Sequence, residues 1–220
     1  DNPRTQARIL AALGGLDLEI TTGESVTSVV AVLRGRAETA GERPIVLLRG
    51  DMDGLPVTEA TGQPFASTTG TMHACGHDLH VAGLVGAVRI LHELRDELPG
   101  DVVFMFQPGE EGPGGAAPMI AEGVLDAAGR RADAAFGLHV ISAQAPLGVW
   151  TGRAGVLMAA ADQCYIAVRG VGGHGSQPHR SKDPVPVACE IVLALQAMVT
   201  RQFDAFDPVV VTAGRIVGGT

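Results

Sequence analysis

Cys75 and His77 stand one glycine apart in Met72-His73-Ala74-Cys75-Gly76-His77-Asp78. From a bent loop a thiolate and an imidazole at that spacing can converge on one ion, and the pair suits zinc, cobalt, nickel or manganese better than magnesium or calcium. The residues that follow have helical spacing, so the pair sits at a helix N-terminus, which favours the thiolate form. A buried cysteine beside a helix-capping Asp78 accounts for the same residues. Glu110 and Glu111 directly follow the apolar run 101–106. Adjacent acids there are costly unless a cation compensates them. Two neighbouring carboxylates do not easily face one metal together, which suggests that one holds an ion while the other takes a proton from activated water. A solvated acidic loop is the plain alternative. His139, in Gly137-Leu138-His139, closes another apolar run and is either a ligand or a core histidine bonded to a backbone carbonyl. Asp51 and Asp53 leave a third run. One of them could orient a ligating histidine, or the two could form an Asx turn before Pro56. His80 reads first as a packed or capping residue, and His73 either touches a substrate or closes the loop.

The elements that must position these residues alternate along the chain. A helix over residues 4–13 ends at Gly14-Gly15. The β-branched runs 28–33 and 45–48 read as a hairpin or edge pair. A long Gly-, Pro- and Thr-rich loop covers 49–71, and loops of that length in compact domains are usually functional. A helix over 80–94 follows, then a strand over 101–106 apolar enough to be covered on both faces. A short helix near 116–122 and a strand over 134–140 complete the series, which predicts an α/β layered domain. The character changes between Gly152 and Ala161. Beyond it the pattern predicts a strand over 162–169, a Gly-rich turn over 170–175, a helix over about 184–202 and a strand over 209–215.

Composition narrows the partners. The 220 residues carry a formal net charge of -8, and their 16 Lys and Arg are scattered, which argues against nucleic acid. No apolar run reaches the roughly 20 residues of a bilayer crossing, and the N-terminus is polar, so no membrane partner and a cytoplasmic location are expected. Cys75, Cys164 and Cys189 are too widely spaced for a disulfide framework.

Five segments in order, RGDMDGLPVTE, MHACGHDLHVAGLVGA, FQPGEEGPGGA, FGLHV and VRGVGGHGSQPH, resemble the co-catalytic metal-dependent aminoacylase and carboxypeptidase family. The similar branch contains hippurate hydrolases, indole-acetyl-amino-acid hydrolases and N-acyl-amino-acid amidohydrolases. The resemblance implies that Cys75, His77, Glu111 and His139 are ligands of one or two divalent ions (zinc, manganese, nickel or cobalt). It implies that Glu110 is the general base and that Asp53 supports the first metal motif. His174 resembles the histidine that polarises the scissile carbonyl, often in the partner subunit's site. The implied fold is a catalytic α/β domain with a central mixed sheet flanked by helices, here 1–155. A smaller inserted α/β lid or dimerisation domain, here 156–220, interrupts it and makes a homodimer. The implied substrate is a small N-acyl amino acid. Asp51 and Cys75 fit the thiolate-containing branch of the family. Its remaining metal-ligating histidine lies beyond the last residue here, so the chain reads as a fragment.

Two other classes account for parts of the pattern. Gly112 to Ala117 fits the G-x-G-x-x-A fingerprint of a dinucleotide-binding oxidoreductase. The preceding strand ends too early for it, however, and Asp133 precedes the next strand instead of closing it. A non-catalytic metal-binding module would use the same ligands. No G-x-S-x-G elbow occurs.

Overall fold

The computed structural model describes residues 2–112, 114–142, 145–158 and 160–218, so Pro113 of the Gly-rich segment and the last two residues lie outside it. The chain divides into two compact units, Asp1–Leu147 and Gly148–Thr220.

The first unit is a mixed five-stranded sheet with helices on both faces. Its strands are β1 (Glu19–Thr22), β2 (Val29–Leu33), β3 (Ile45–Asp51), β4 (Asp101–Gln107) and β5 (Ala134–Gly137), in the order β1-β2-β4-β3-β5. β4 is buried along its whole length, as its unbroken apolar run requires. Val102, Phe104 and Phe106 face one core with Ile9 and Leu13 of α1 (Pro3–Leu13) and Leu84 and Val88 of α2 (His77–Glu93). Val103 and Met105 point the other way, against Met119 of α3 (Ala116–Ala121) and Val124. The period-2 alternation of a strand thus feeds two cores from one segment. Phe104 is fully buried at the centre. Phe104→Ala is expected to cost about 3–5 kcal/mol, read as a lower urea midpoint with an unchanged slope.

The expected pairing of 28–33 with 45–48 does not form. β4 enters between them, antiparallel to β2 and parallel to β3. The connection β3-α2-β4 is a crossover that makes these strands parallel neighbours, and β5 joins β3 in parallel on the other side. The C-terminal ends of β3, β4 and β5 therefore lie together, with Asp51 opposite Gln107 and Arg49 opposite Gly137. In sheets of this kind ligands bind at that edge. α2 begins three residues earlier than its periodicity suggests. Gly76 takes a left-handed conformation at its N-cap, with φ 77°, and turns the chain directly into the helix at His77. His77 and His80 then share the buried face.

In the second unit α4 (Pro184–Gln202) has the expected bounds, with Asp183 capping the N–H of Val185. The strands expected at 162–169 and 209–215 are absent. Apolar-polar alternation stabilises a strand only where one face is covered and a partner supplies hydrogen bonds. Tyr165 and Ile166 are exposed, and among the described residues of this unit none is buried. An isolated bridge joins Val171 to Lys182, and the Gln196 side chain donates to the carbonyl of Val211. α4 is, by length and composition alone, long and apolar enough to cross a bilayer, so the expectation that no segment reaches that measure fails for it.

Candidate metal centre

Each candidate ligand of the first unit follows the C-terminal end of a parallel strand or opens α2. His77 is almost fully buried, and its Nδ1 lies 3.0 Å from the carbonyl oxygen of Asp53. A carbonyl only accepts, so Nδ1 carries the proton and Nε2 presents a lone pair. That lone pair faces only acceptors. Asp51 Oδ2 is 3.7 Å away, Glu110 Oε2 3.8 Å and Glu111 Oε1 3.8 Å. Among the described residues, His77 Nε2 and Asp51 Oδ2 are buried without a hydrogen-bond partner. Arg49 Nη1 is 2.7 Å from Asp51 Oδ2, but off the direction of an N–H bond, so the two meet as charges only.

The neighbouring half is built from Cys75 and His139. Cys75 Sγ is 3.2 Å from His139 Nε2, and His139 Nδ1 donates to the Val140 carbonyl at 2.7 Å. His139 thus also presents an Nε2 lone pair. It lies two residues past the end of β5, on the segment that leaves the strand. Cys75, His77 and His139 bring their ligand atoms within 4.8 Å of one another, and so do His77, Glu110 and Glu111. These donors fit a divalent cation: soft and borderline atoms on one side, carboxylates on the other, with buried lone pairs that nothing else satisfies.

Without a bound cation the thiol is favoured over the expected thiolate. Burial pushes the Cys75 thiol up to about 11, and the carboxylates of Glu111, Glu110 and Asp51 add to that shift. Burial together with three acids outweighs one helix N-terminus. Burial also raises the Asp51 carboxyl, but the His80 hydrogen bond together with Arg49 and His77 outweighs it and leaves the group below its ordinary value.

Asp53 supports the cluster at both ends. Its carbonyl accepts from His77 and from His73, and its carboxylate accepts from the backbone N–H of Glu110 and of Glu111, at 3.0 Å each. One residue after β3 thereby fixes the acid pair after β4. The histidine is oriented through the main chain of Asp53, with the carboxylate 3.5 Å from Nδ1. His73 closes this loop. His80 is packed, as its position suggests, with both nitrogens engaged, so it has no lone pair to offer an ion. Arg49 and the peptide of Val140 were not apparent as parts of the centre. Arg49 lies two residues before Asp51, on the same strand face, and that spacing was the available signal. His174 belongs to the second unit and is exposed, its Nδ1 accepting from the backbone N–H and hydroxyl of Ser176. A cleft of about 540 Å³ lined by Asp53, Leu55, Thr71, Pro108 and Glu111 opens beside the acids.

Gly76 connects the two halves. A Cβ built there would stand 2.3 Å from Val140 Cγ2. Gly76→Ala is expected to lose about 1–2 kcal/mol from the left-handed backbone alone, and to weaken metal binding by displacing Val140 beside His139. Urea unfolding and a cobalt titration check the two effects.

Residues 47–220 match the profile of peptidase family M20/M25/M40. The chain belongs to that family. It is 46% identical over 180 residues to an IAA-amino acid hydrolase of Arabidopsis thaliana, covering 81% of this chain and 40% of that protein. Among solved structures, a protein of methicillin-resistant Staphylococcus aureus described as an aminohydrolase superposes with a TM-score of 0.71 at 33% identity, over 99% of this chain and 56% of the other. A Bacillus subtilis dinuclear metal-binding peptidase of the M20 family superposes with a TM-score of 0.57 at 39% identity, over 63% of this chain and 37% of that one. The chain spans about half the length of the curated relatives it matches, between 40% and 54%. Membership in a peptidase family removes the dinucleotide-binding alternative, and the last residue of β4, Gln107, is five residues short of the Gly112 that would open that fingerprint.

Proposed function

We propose that the intact protein is a metal-dependent amidohydrolase that cleaves the amide bond between an acyl group and an amino acid. The observation that carries this reading is the His77 lone pair buried among three carboxylates, with no donor among the described residues. The family and the IAA-amino acid hydrolase likeness supply the bond type. Cys75, His77, Glu111 and His139 would hold one or two divalent ions, zinc, manganese, nickel or cobalt. Such an ion, when bound, lowers the pKa of water to roughly 7 and polarises a carbonyl.

Glu110 accepts the proton of the attacking water and returns it to the leaving amine. Both acids approach His77 equally, but Glu111 acts on Cys75 by a hydrogen bond as well as by charge and Glu110 by charge alone, while Glu110 is the more exposed at 41% against 26%. That difference favours Glu111 as ligand and Glu110 as base. Asp53 keeps both backbones in place. His174 accepts at Nδ1, which leaves an exposed Nε2–H to donate to the carbonyl oxygen of a substrate. In this reading residues 1–155 belong to the catalytic domain, 156–220 to a lid domain through which two copies pair, and the free cysteines suit a reducing compartment.

The test is hydrolysis of N-acetyl, N-benzoyl and indole-acetyl amino acids by the intact protein, with metal content measured alongside. Turnover abolished by chelation and restored by one of the four metals is expected. Bound metal without turnover on any of these substrates would assign a binding role instead.

A further inference from the structure

We propose that His80 is a positioning residue that fixes the direction in which His139 faces Cys75, an inference that rests on the metal-centre reading. Its ring is buried, with Nδ1 2.5 Å from Asp51 Oδ1 and Nε2 2.9 Å from the backbone nitrogen of Val140. The amide can only donate, so Nε2 is the acceptor and Nδ1 carries the proton given to Asp51. This settles the choice left by Asp51, His77 and His80, which also approach one another closely enough to hold an ion. A cation on His80 would have to break the bond to Val140.

That bond matters because of where Val140 lies. β5 ends at Gly137, and among the described residues no main-chain hydrogen bond ties 138–142 to the rest of the unit. The Val140 peptides are held on both sides by histidines: its N–H by His80, its carbonyl by His139. The His80 ring also stacks on His77, with centroids 5.4 Å apart, and meets His139 edge-on at 4.8 Å. Asp51, His80, Val140 and His139 thus form one chain of contacts, running from the end of β3 to a ligand beyond the end of β5.

Cobalt(II) is the probe, titrated into the intact protein, with absorption from thiolate to cobalt as the signal of Cys75 ligation. His80→Phe keeps a ring of similar size but loses both hydrogen bonds. His80→Gln offers a donor and an acceptor again. The phenylalanine variant is expected to bind cobalt about 10- to 100-fold more weakly, with reduced thiolate absorption, and the glutamine variant to stay within several-fold of the parent. Equal binding by His80→Phe and the parent, or equal losses in both variants, overturns the proposal. Imidazole nitrogen NMR on the unsubstituted protein supplies an arm free of folding effects. A His80 protonated at Nδ1 and coupled to the Val140 amide is expected, and protonation at Nε2 overturns the proposal. A parent that binds no cobalt defeats the metal-centre reading instead.

Discussion

Glu110→Gln in the intact protein is expected to lower kcat/KM on N-acyl amino acids by about 100- to 10,000-fold, or about 3–5 kcal/mol of transition-state stabilisation. The amide has the shape of the carboxylate but cannot take a proton. The backbone N–H of Glu110 would still donate to Asp53, so the loop stays in place. Metal content is expected to be unchanged, because Glu111 reaches the Cys75 thiol as a hydrogen-bond partner and Glu110 only through its charge. Glu111→Gln is the counterpart, losing metal and activity together. Metal retained in Glu111→Gln but lost in Glu110→Gln would exchange the two roles. Full activity in Glu110→Gln would remove the carboxylate from the proton transfer altogether.

How much of this could be read from residue order varies from element to element, and the reasons are physical. β4 was legible because seven buried residues in succession admit few other readings. α2 was legible, but its start was not, since that depends on Gly76 taking positive φ. β1 was missed: it is four residues long, at the sheet edge, with one of them half-buried. The partner of β2 was misread because a short polar connection suggests a hairpin, whereas the partner chosen, β4, arrives 68 residues after the end of β2, at Asp101 against Leu33. Local pattern holds no information about that choice. The candidate ligands could be picked out because Cys75, Glu111 and His139 each sit just past an apolar run or at a helix start. The protonation of Cys75 was not legible, since burial first, and then acids distant in sequence, decide it. The contact of His80 with Val140 was equally hidden, joining residues 60 apart through a main-chain atom.

His77→Ala is expected to remove metal binding more completely than loss of any other single ligand. The His77 ring belongs to both sets of ligand atoms that remain once His80 is set aside, the thiol-imidazole set and the carboxylate set. Four-ligand zinc sites bind with roughly 10–16 kcal/mol, so one ligand is worth about 3 kcal/mol, on the order of 100-fold in affinity. The ring has one free lone pair and serves one ion, so the loss falls on whichever set of ligand atoms holds it. The metal-free fold is expected to respond less. In the metal-free protein the Nε2 lone pair and Asp51 Oδ2 are buried and unsatisfied, a cost of about 1–3 kcal/mol per group. Alanine removes the lone pair, although it also deletes a buried ring and its bond to Asp53. The metal-free variant is therefore expected to lose less stability than a buried-ring deletion alone would predict. In the parent, metal at 1,000 times its Kd adds about 4 kcal/mol of stability. The variant gains little at the same concentration. Thermal unfolding with and without zinc reads both differences. A zinc-induced rise in Tm as large in His77→Ala as in the parent would place the ion away from this ring and undo the centre as described.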